Sequence, residues 1–149
     1  MELQVEGLYF SSAHRLMHHP GKCSNVHGHT FHTKFIFYGQ SPDEDTGMMV
    51  DFADVKNIVS ECVDSLDHCL ILNVDDKKFV DFIRSQENRL VIMGNEPTVE
   101  EIAKFLFQKV EGQIDNEKKT SGKIVLTSVQ IWETPKFSAI YGLEDSGRN

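Results

Sequence analysis

Segments with strand and helix patterns alternate along this chain in a fixed order, and that order limits the folds it can adopt. Two runs rich in β-branched and aromatic residues lie near the N-terminus and two more near the C-terminus, and such runs predict strands. Between the two pairs, two segments repeat apolar residues at steps of three and four, which predicts amphipathic helices. The predicted strands are residues 3–10, 29–38, 124–132 and 137–141, and the predicted helices run from the N-cap Asp51 to near Leu66 and from Pro97 to Gly112.

The resulting order β-β-α-α-β-β is typical of an α+β layer architecture with two helices on one face of a sheet. Residues 73–95 mix charged and apolar side chains, and for them we predict only a short helix at about residues 79–84. A chain of 149 residues with 40% hydrophobic side chains has the size of one domain that can bury its own core. We therefore expect a single domain over residues 1–149, with a mobile tail after about residue 142.

Charge and hydropathy restrict the partners of the protein. The formal net charge of -8 repels phosphate backbones and anionic lipid, so we expect no nucleic acid and no membrane partner. The sequence holds no apolar run near the roughly 20 residues that span a bilayer, and MELQVEGLYF does not resemble a signal peptide. We expect a cytoplasmic protein, in which Cys23, Cys62 and Cys69 are reduced thiols.

A histidine-rich segment joins the first two predicted strands. His27 and His29 are one residue apart, so an extended backbone directs both imidazoles to the same face. Gly28 removes a side chain where the backbone is crowded, and His14, near the end of the preceding strand, supplies a third nitrogen across the strand pair. Three imidazoles leave the fourth position of a zinc ion open for water or substrate, as catalysis requires. The alternative is an ordinary polar loop, since an H-G-H tripeptide also occurs by chance.

Outside this cluster lie three histidines with ordinary explanations and three groups that could carry chemistry. His18, His19 and His32 are interpreted as solvated or packing residues, because His32 has the opposite strand parity and the other two lie in a loop. Candidates for chemistry are Cys23 as a nucleophile or proton-transfer group, Asp67 with His68 as an oriented base, and Glu133 as an acceptor for a guanidine-like heterocycle edge. Asp67 and His68 equally suit an exposed helix end. A lone strand-end glutamate such as Glu133 is more often simply solvated, and Thr98 by itself is an ordinary helix start.

Several of these residues lie in motifs that occur together in one family. From Leu3 to Tyr141 the sequence closely resembles the 6-pyruvoyltetrahydropterin synthase and 6-carboxytetrahydropterin synthase family. The resemblance rests on F-S-S-A-H ending at His14, C-x-x-x-H-G-H from Cys23 to His29, T-G-M-x-x-D-F ending at Phe52, L-D-H ending at His68, P-T-x-E from Pro97 to Glu100, and W-E-T-P around Glu133.

The resemblance implies the tunnelling fold, in which subunits with a four-stranded antiparallel sheet and two helices form trimers, and two trimers form a homohexamer with active sites between subunits. It implies that His14, His27 and His29 bind Zn²⁺ and that Cys23, Asp67 and His68 carry proton transfer. It also implies that Glu133 anchors a pterin ring beside the Thr98 segment.

The family substrate is 7,8-dihydroneopterin triphosphate, and two products are known in the family. Three residues between Cys23 and His27 resemble the 6-carboxytetrahydropterin synthases of queuosine biosynthesis, which release acetaldehyde and triphosphate. The alternatives are a 6-pyruvoyltetrahydropterin synthase, which eliminates triphosphate from the same substrate, and a zinc-bearing pterin-binding module without turnover.

Overall fold

The fold is built around one β-sheet. The computed structural model describes residues 1–39 and 41–147. Within these residues the sheet has six strands in the order β4-β3-β1-β2-β5-β6, and three α-helices connect or cover them. The strands are β1 (Glu2–His14), β2 (His27–Gly39), β3 (Leu70–Asn73), β4 (Leu90–Met93), β5 (Ile124–Thr134) and β6 (Phe137–Gly142), and the helices are α1 (Phe52–Asp64), α2 (Lys77–Ser85) and α3 (Val99–Asn116).

The α+β class and the four long strands agree with the sequence-based prediction, but its count of four strands and two helices is wrong. The segment after α1 adds β3, α2 and β4, and β3 pairs in parallel with both β1 and β4, so the sheet is mixed rather than antiparallel. Both added strands are four-residue, mostly apolar runs, whose periodicity does not separate a buried strand from a buried helix. The predicted short helix at residues 79–84 lies inside α2.

The core lies between one face of the sheet and the helices α1 and α3. Alternate residues of β2 are fully buried there, together with apolar side chains of both helices, which confirms that these two helices cover one face. The side chain of Asp51 caps α1 by accepting the amide of Ala53 at 2.8 Å. The largest side chains of this core include Phe10, Phe31, Phe35, Phe37, Phe107, Leu106 and Ile102.

Helix α3 continues past Gly112 to Asn116, so the predicted end at Gly112 is wrong. A glycine inside a helix costs about 1 kcal/mol, whereas burial of Ile114, which is 1% exposed, contributes roughly 2 kcal/mol. The helix ends where the Thr120 hydroxyl donates to the carbonyl of Ile114 at 2.8 Å.

Within the described residues, α1 and α3 leave the opposite face of strands β1, β2, β5 and β6 uncovered. Its outward residues include large exposed side chains, among them Tyr9, Tyr38, Val125 and Ile140, which are 48 to 63% exposed. Tyr38 and Val125 are paired across β2 and β5, so at least these two exposed apolar side chains lie next to each other.

After β6 the chain turns back onto the sheet. The amide of Leu143 donates to the carbonyl of Thr127 at 3.1 Å, and the amide of Gly142 donates to the Asp145 carboxylate. The mobility expected of this tail stays a prediction, and its residues 148 and 149 lie outside the described part of the chain. Among the described residues, no helix is long and apolar enough to cross a membrane.

Candidate metal centre

Three histidines converge where β1 ends and β2 begins. His14 and His27 are directly paired across the two antiparallel strands, and His29 is paired with Ser12, two residues before His14. Because residues two apart share a face, the three rings meet on the helix-covered side, with centroids 4.5 to 5.4 Å apart. One ligand nitrogen from each ring lies within 4.8 Å of the others, and within residues 1–39 and 41–147 this is the one cluster of its kind.

Hydrogen bonds fix which nitrogen of two rings is free to bind a cation. Nδ1 of His14 lies 2.7 Å from the carbonyl oxygen of Pro97, and Nδ1 of His27 lies 2.8 Å from that of Asn25. A carbonyl can only accept, so each Nδ1 carries the proton and each Nε2 presents a lone pair. This arrangement is typical of histidines that bind metals.

His14 provides the clearest sign that a cation belongs here. The residue is 1% exposed, and its Nε2 has no hydrogen-bond partner. Burial lowers the pKa of this imidazole below its ordinary value, which keeps it neutral. An orphaned acceptor of this kind is costly, and a metal ion bound by the three rings would satisfy it.

Glu133 lies beside the same cluster. Its Oε1 is 3.6 Å from Nε2 of His14 and 3.6 Å from Nε2 of His29. Both distances exceed a hydrogen bond, which agrees with the unpartnered state of His14 Nε2. The residue also lines a cavity over β1, β2 and β5, together with Thr30, Lys34 and Trp132.

Gly28 allows the close approach of the strands that carry the histidines. A Cβ at this position would lie 3.1 Å from the carbonyl oxygen of Ser12, a backbone atom that cannot turn away. The crowding predicted for this position from the H-G-H motif is therefore present.

Asp67 and His68 form a hydrogen-bonded pair, with Nδ1 of His68 2.7 Å from Oδ2 of Asp67. The other carboxylate oxygen accepts the amide of Ser11 at 2.7 Å, while the amide of His68 donates to the carbonyl of Ser11. The Ser11 bond, with a smaller contribution from His68, lowers the pKa of the Asp67 carboxyl. His68 has a φ of 54°, a left-handed conformation that is uncommon outside glycine, and its side chain is 78% exposed.

Cys23 lies outside the histidine cluster, in a single turn of 3₁₀ helix (Lys22–Ser24), and is partly buried. Its carbonyl accepts the amide of Leu16 at 2.9 Å. The loop that holds it is fastened by Glu96, whose carboxylate accepts the amides of Met17 and His18 and contacts Nδ1 of His18 at 2.6 Å. The proton-transfer roles of Cys23, Asp67 and His68 stay predictions.

The remaining residues singled out from the sequence have ordinary surroundings. His32 packs against Tyr9 on the uncovered face, while Cys62 and Cys69 are buried, as expected. Thr98 caps α3 by accepting the amide of Glu101 at 3.4 Å, and its predicted contact with substrate stays a prediction.

Sequence reasoning missed the carbonyls of Pro97 and Asn25, which orient two of the histidines, and it missed Glu96. Backbone carbonyls leave no mark on a sequence. The P-T-x-E motif indicated that the Pro97 region could belong to the site, but the same motif is also an ordinary helix start.

Comparison with known proteins supplies the family. The 6-carboxy-5,6,7,8-tetrahydropterin synthase of Haemophilus influenzae is 30% identical over 132 residues, which cover 85% of this chain and 88% of that protein. The enzyme of the same name from Rickettsia bellii is 34% identical over 128 residues, with 85% and 89% covered.

Solved structures show the same fold at lower identity. An uncharacterized protein from Wolinella succinogenes superposes with a TM-score of 0.75 at 21% identity, covering 96% of this chain and 99% of its own. The 6-pyruvoyltetrahydropterin synthase of Plasmodium vivax gives a TM-score of 0.72 at 20% identity, with 95% and 96% covered. The sequence model described as 6-pyruvoyl tetrahydropterin synthase matches residues 2–144. With nearly the whole chain matched and the three histidines assembled as the motifs predict, this protein belongs to the 6-pyruvoyl tetrahydropterin synthase family.

Proposed function

We propose that the protein is a zinc-dependent lyase that converts 7,8-dihydroneopterin triphosphate and one water molecule to 6-carboxy-5,6,7,8-tetrahydropterin with loss of acetaldehyde and triphosphate, a step toward queuosine. The observation that carries the proposal is the buried, unpartnered Nε2 of His14 inside the histidine cluster. The names of the relatives at about 30% identity support the carboxy product over the pyruvoyl one.

His14, His27 and His29 would hold the zinc ion through nitrogens that lie within 4.8 Å of one another. When bound, zinc supplies a Lewis acid that polarises hydroxyl and carbonyl oxygens of a substrate side chain. The hydrogen bonds to Pro97 and Asn25 hold two of the rings in the tautomer that can bind it.

The proposed proton-transfer groups are Cys23 and His68. The Asp67 carboxylate accepts Nδ1–H of His68, which leaves Nε2 as the basic nitrogen and stabilises the imidazolium that forms when it takes a proton. Because the depressed pKa of Asp67 keeps its carboxylate ionised at neutral pH, this support persists throughout a working pH range.

The pterin ring is assigned to Glu133 and the Thr98 segment. A carboxylate can accept two parallel N–H bonds from the amino-pyrimidinone edge of a pterin, much as it does from a guanidinium. Glu133 already faces a cavity bounded by Trp132 and Pro135, which offers apolar surface for a flat heterocycle.

We further propose a homohexamer of two trimers with active sites between subunits. The support is the uncovered sheet face, which exposes large apolar side chains that an interface would bury, and the 78% exposure of the His68 side chain. Size-exclusion chromatography with light scattering tests this assembly, and a monomer at micromolar concentration would contradict it.

The reaction is tested by incubating the zinc-loaded protein with 7,8-dihydroneopterin triphosphate and following all products by mass spectrometry. We expect 6-carboxytetrahydropterin, acetaldehyde and triphosphate in equal amounts. Triphosphate without acetaldehyde would instead establish the pyruvoyl reaction, and recovery of unchanged substrate from a protein that binds it would establish a binding module.

A matched pair of cysteine variants separates catalysis from folding. Cys23→Ala should lower kcat by about 100-fold or more, as loss of a proton-transfer group does. Cys62→Ala should leave kcat intact, because the Cys62 thiol is buried in α1 and 2% exposed.

A further inference from the structure

The chain leaves helix α1 through a turn, residues 65–69, whose carbonyl groups find donors in side chains. A buried carbonyl needs a hydrogen-bond partner, and beyond the end of a helix the helix itself supplies none. The thiol of Cys69 lies 3.4 Å from the carbonyl oxygen of Ser65, and the hydroxyl of Ser12 donates to the carbonyl of the fully buried Leu66. The turn is therefore held in part by a side chain from a strand.

Ser12 belongs to β1 and is itself buried, with 5% exposure. It is paired with His29 across the two strands and lies two residues before His14, so by alternation its side chain shares the helix-covered face with that histidine. A hydroxyl in such a position is costly unless it is hydrogen-bonded. Its partner is the Leu66 carbonyl, which links the strand to the turn after α1.

The Leu66 carbonyl belongs to the peptide group that joins Leu66 to Asp67. Fixing that group fixes the backbone from which the Asp67 side chain departs toward the Ser11 amide and the His68 ring. His68 follows with a φ of 54°, a conformation that costs energy outside glycine and persists only where surrounding contacts hold it. The geometry of the Asp67 and His68 pair thus depends on the bonds that fasten the turn to β1.

From these contacts we infer that Ser12 is a positioning residue for the Asp67 and His68 pair. Its hydroxyl holds the turn in the form in which the Asp67 carboxylate accepts Nδ1–H of His68, and this bond leaves Nε2 of His68 as the free nitrogen. The placement of the pair follows from the contacts alone, whereas its use in proton transfer rests on the proposed function. If Ser12 only stabilised the domain, its loss would not act on His68 in particular.

The first experiment measures amide hydrogen exchange at His68, which reports how often the turn opens, because this amide donates to the Ser11 carbonyl at 2.8 Å. Ser12→Ala leaves the buried Leu66 carbonyl without its donor and should speed exchange at His68 about tenfold. The matched control is Thr127→Ala, which removes another strand hydroxyl from a neighbouring strand's carbonyl, that of Ile36 at 2.9 Å, and should leave His68 unchanged. A rate at His68 within about twofold of wild type in Ser12→Ala overturns the inference.

The second experiment reads the tautomer of His68 by ¹⁵N NMR of the histidine rings at about pH 8, where an ordinary imidazole is neutral. In wild type the proton should reside on Nδ1, and in Ser12→Ala the signals should shift toward the form with the proton on Nε2. His14 and His27 are internal controls, because the carbonyls of Pro97 and Asn25 hold their protons on Nδ1. An unchanged His68 ring, or an equal change in all three rings, would refute a specific action of Ser12 on His68.

Turnover then separates this inference from the proposed function. If His68 transfers a proton in the reaction, Ser12→Ala should lower kcat about tenfold or more with KM nearly unchanged, since the substrate still binds. A shifted His68 tautomer with an unchanged kcat, or in a protein without lyase activity, would reject the catalytic role of His68 and keep Ser12 as the residue that positions the pair.

Discussion

Removal of the Glu96 carboxylate should release the loop between β1 and β2 from the rest of the fold. This loop carries Cys23, and its attachment to Glu96 consists of bonds from the amides of Met17 at 2.9 Å and His18 at 3.3 Å, with the His18 ring at 2.6 Å. Glu96→Ala deletes all of them. The loop then keeps its internal bond between Leu16 and Cys23 and, at its start, the bonds from Arg15 to Asp76.

The free energy that the Glu96 bonds contribute to holding the loop depends on how exposed Met17 and His18 are. Hydrogen bonds to a charged group contribute about 1.5 to 3 kcal/mol, but the His18 side chain is 72% exposed, so its bonds contribute little. Counting the Met17 amide alone at the lower limit gives about 1.5 kcal/mol, which corresponds to about a tenfold change in the opening equilibrium.

Amide hydrogen exchange followed by NMR measures that equilibrium at single residues. In Glu96→Ala the Met17 and Leu16 amides should exchange about tenfold faster than in wild type, while amides in the centre of α3 keep their rates. The matched control is Glu100→Ala, which removes an exposed carboxylate from the same helix start. An exchange rate for Met17 within about twofold of wild type would show that Glu96 does not hold the loop.

Three further predictions concern the strand contact, the Asp67 pair and the core. Gly28→Ala places a Cβ 3.1 Å from the Ser12 carbonyl, so β1 and β2 must separate, and chelator competition should show zinc binding about tenfold weaker, within the range for disturbed metal sites. Because the pKa of Asp67 is depressed in the folded protein, its stabilisation exists above the ordinary carboxyl pKa and is lost as the pH falls through the folded value. The gap in unfolding free energy between wild type and Asp67→Asn, measured in urea, should therefore be present at about pH 6 and shrink below about pH 4; a gap that grows toward acid would contradict this. Phe35→Ala empties a fully buried position and should cost about 3 to 5 kcal/mol of unfolding free energy, and a loss below about 1 kcal/mol would mean that the core collapses around the cavity.

The long elements were predictable because their patterns are local. Alternation in β2 and the Asp51 cap of α1 follow from a few neighbouring residues. The strands β3 and β4 were not predictable in this way, since Leu70–Asn73 is a short apolar run that pairs in parallel and is covered by neighbours distant in sequence.

The candidate site likewise contains contacts that the local sequence predicts and contacts that it does not. Strand parity was enough to bring His27 and His29 together, and the strand pair added His14. The approach of Glu133 depends on the register of β2 with β5, and the orientation of His14 depends on a carbonyl 83 positions away. Such contacts between distant residues cannot be predicted from residue type.

The hydrogen bond from His14 to Pro97 also has a consequence for the order of folding. It joins residues 83 positions apart, and β1 reaches β3 only after α1 has brought residue 70 back to the sheet. The nitrogens that bind the metal are therefore aligned only once most of the chain has closed, and such contacts form late because loop closure is costly. An ion that binds only the finished site adds its binding energy to the whole fold, so removal of zinc should lower the unfolding free energy of the entire domain.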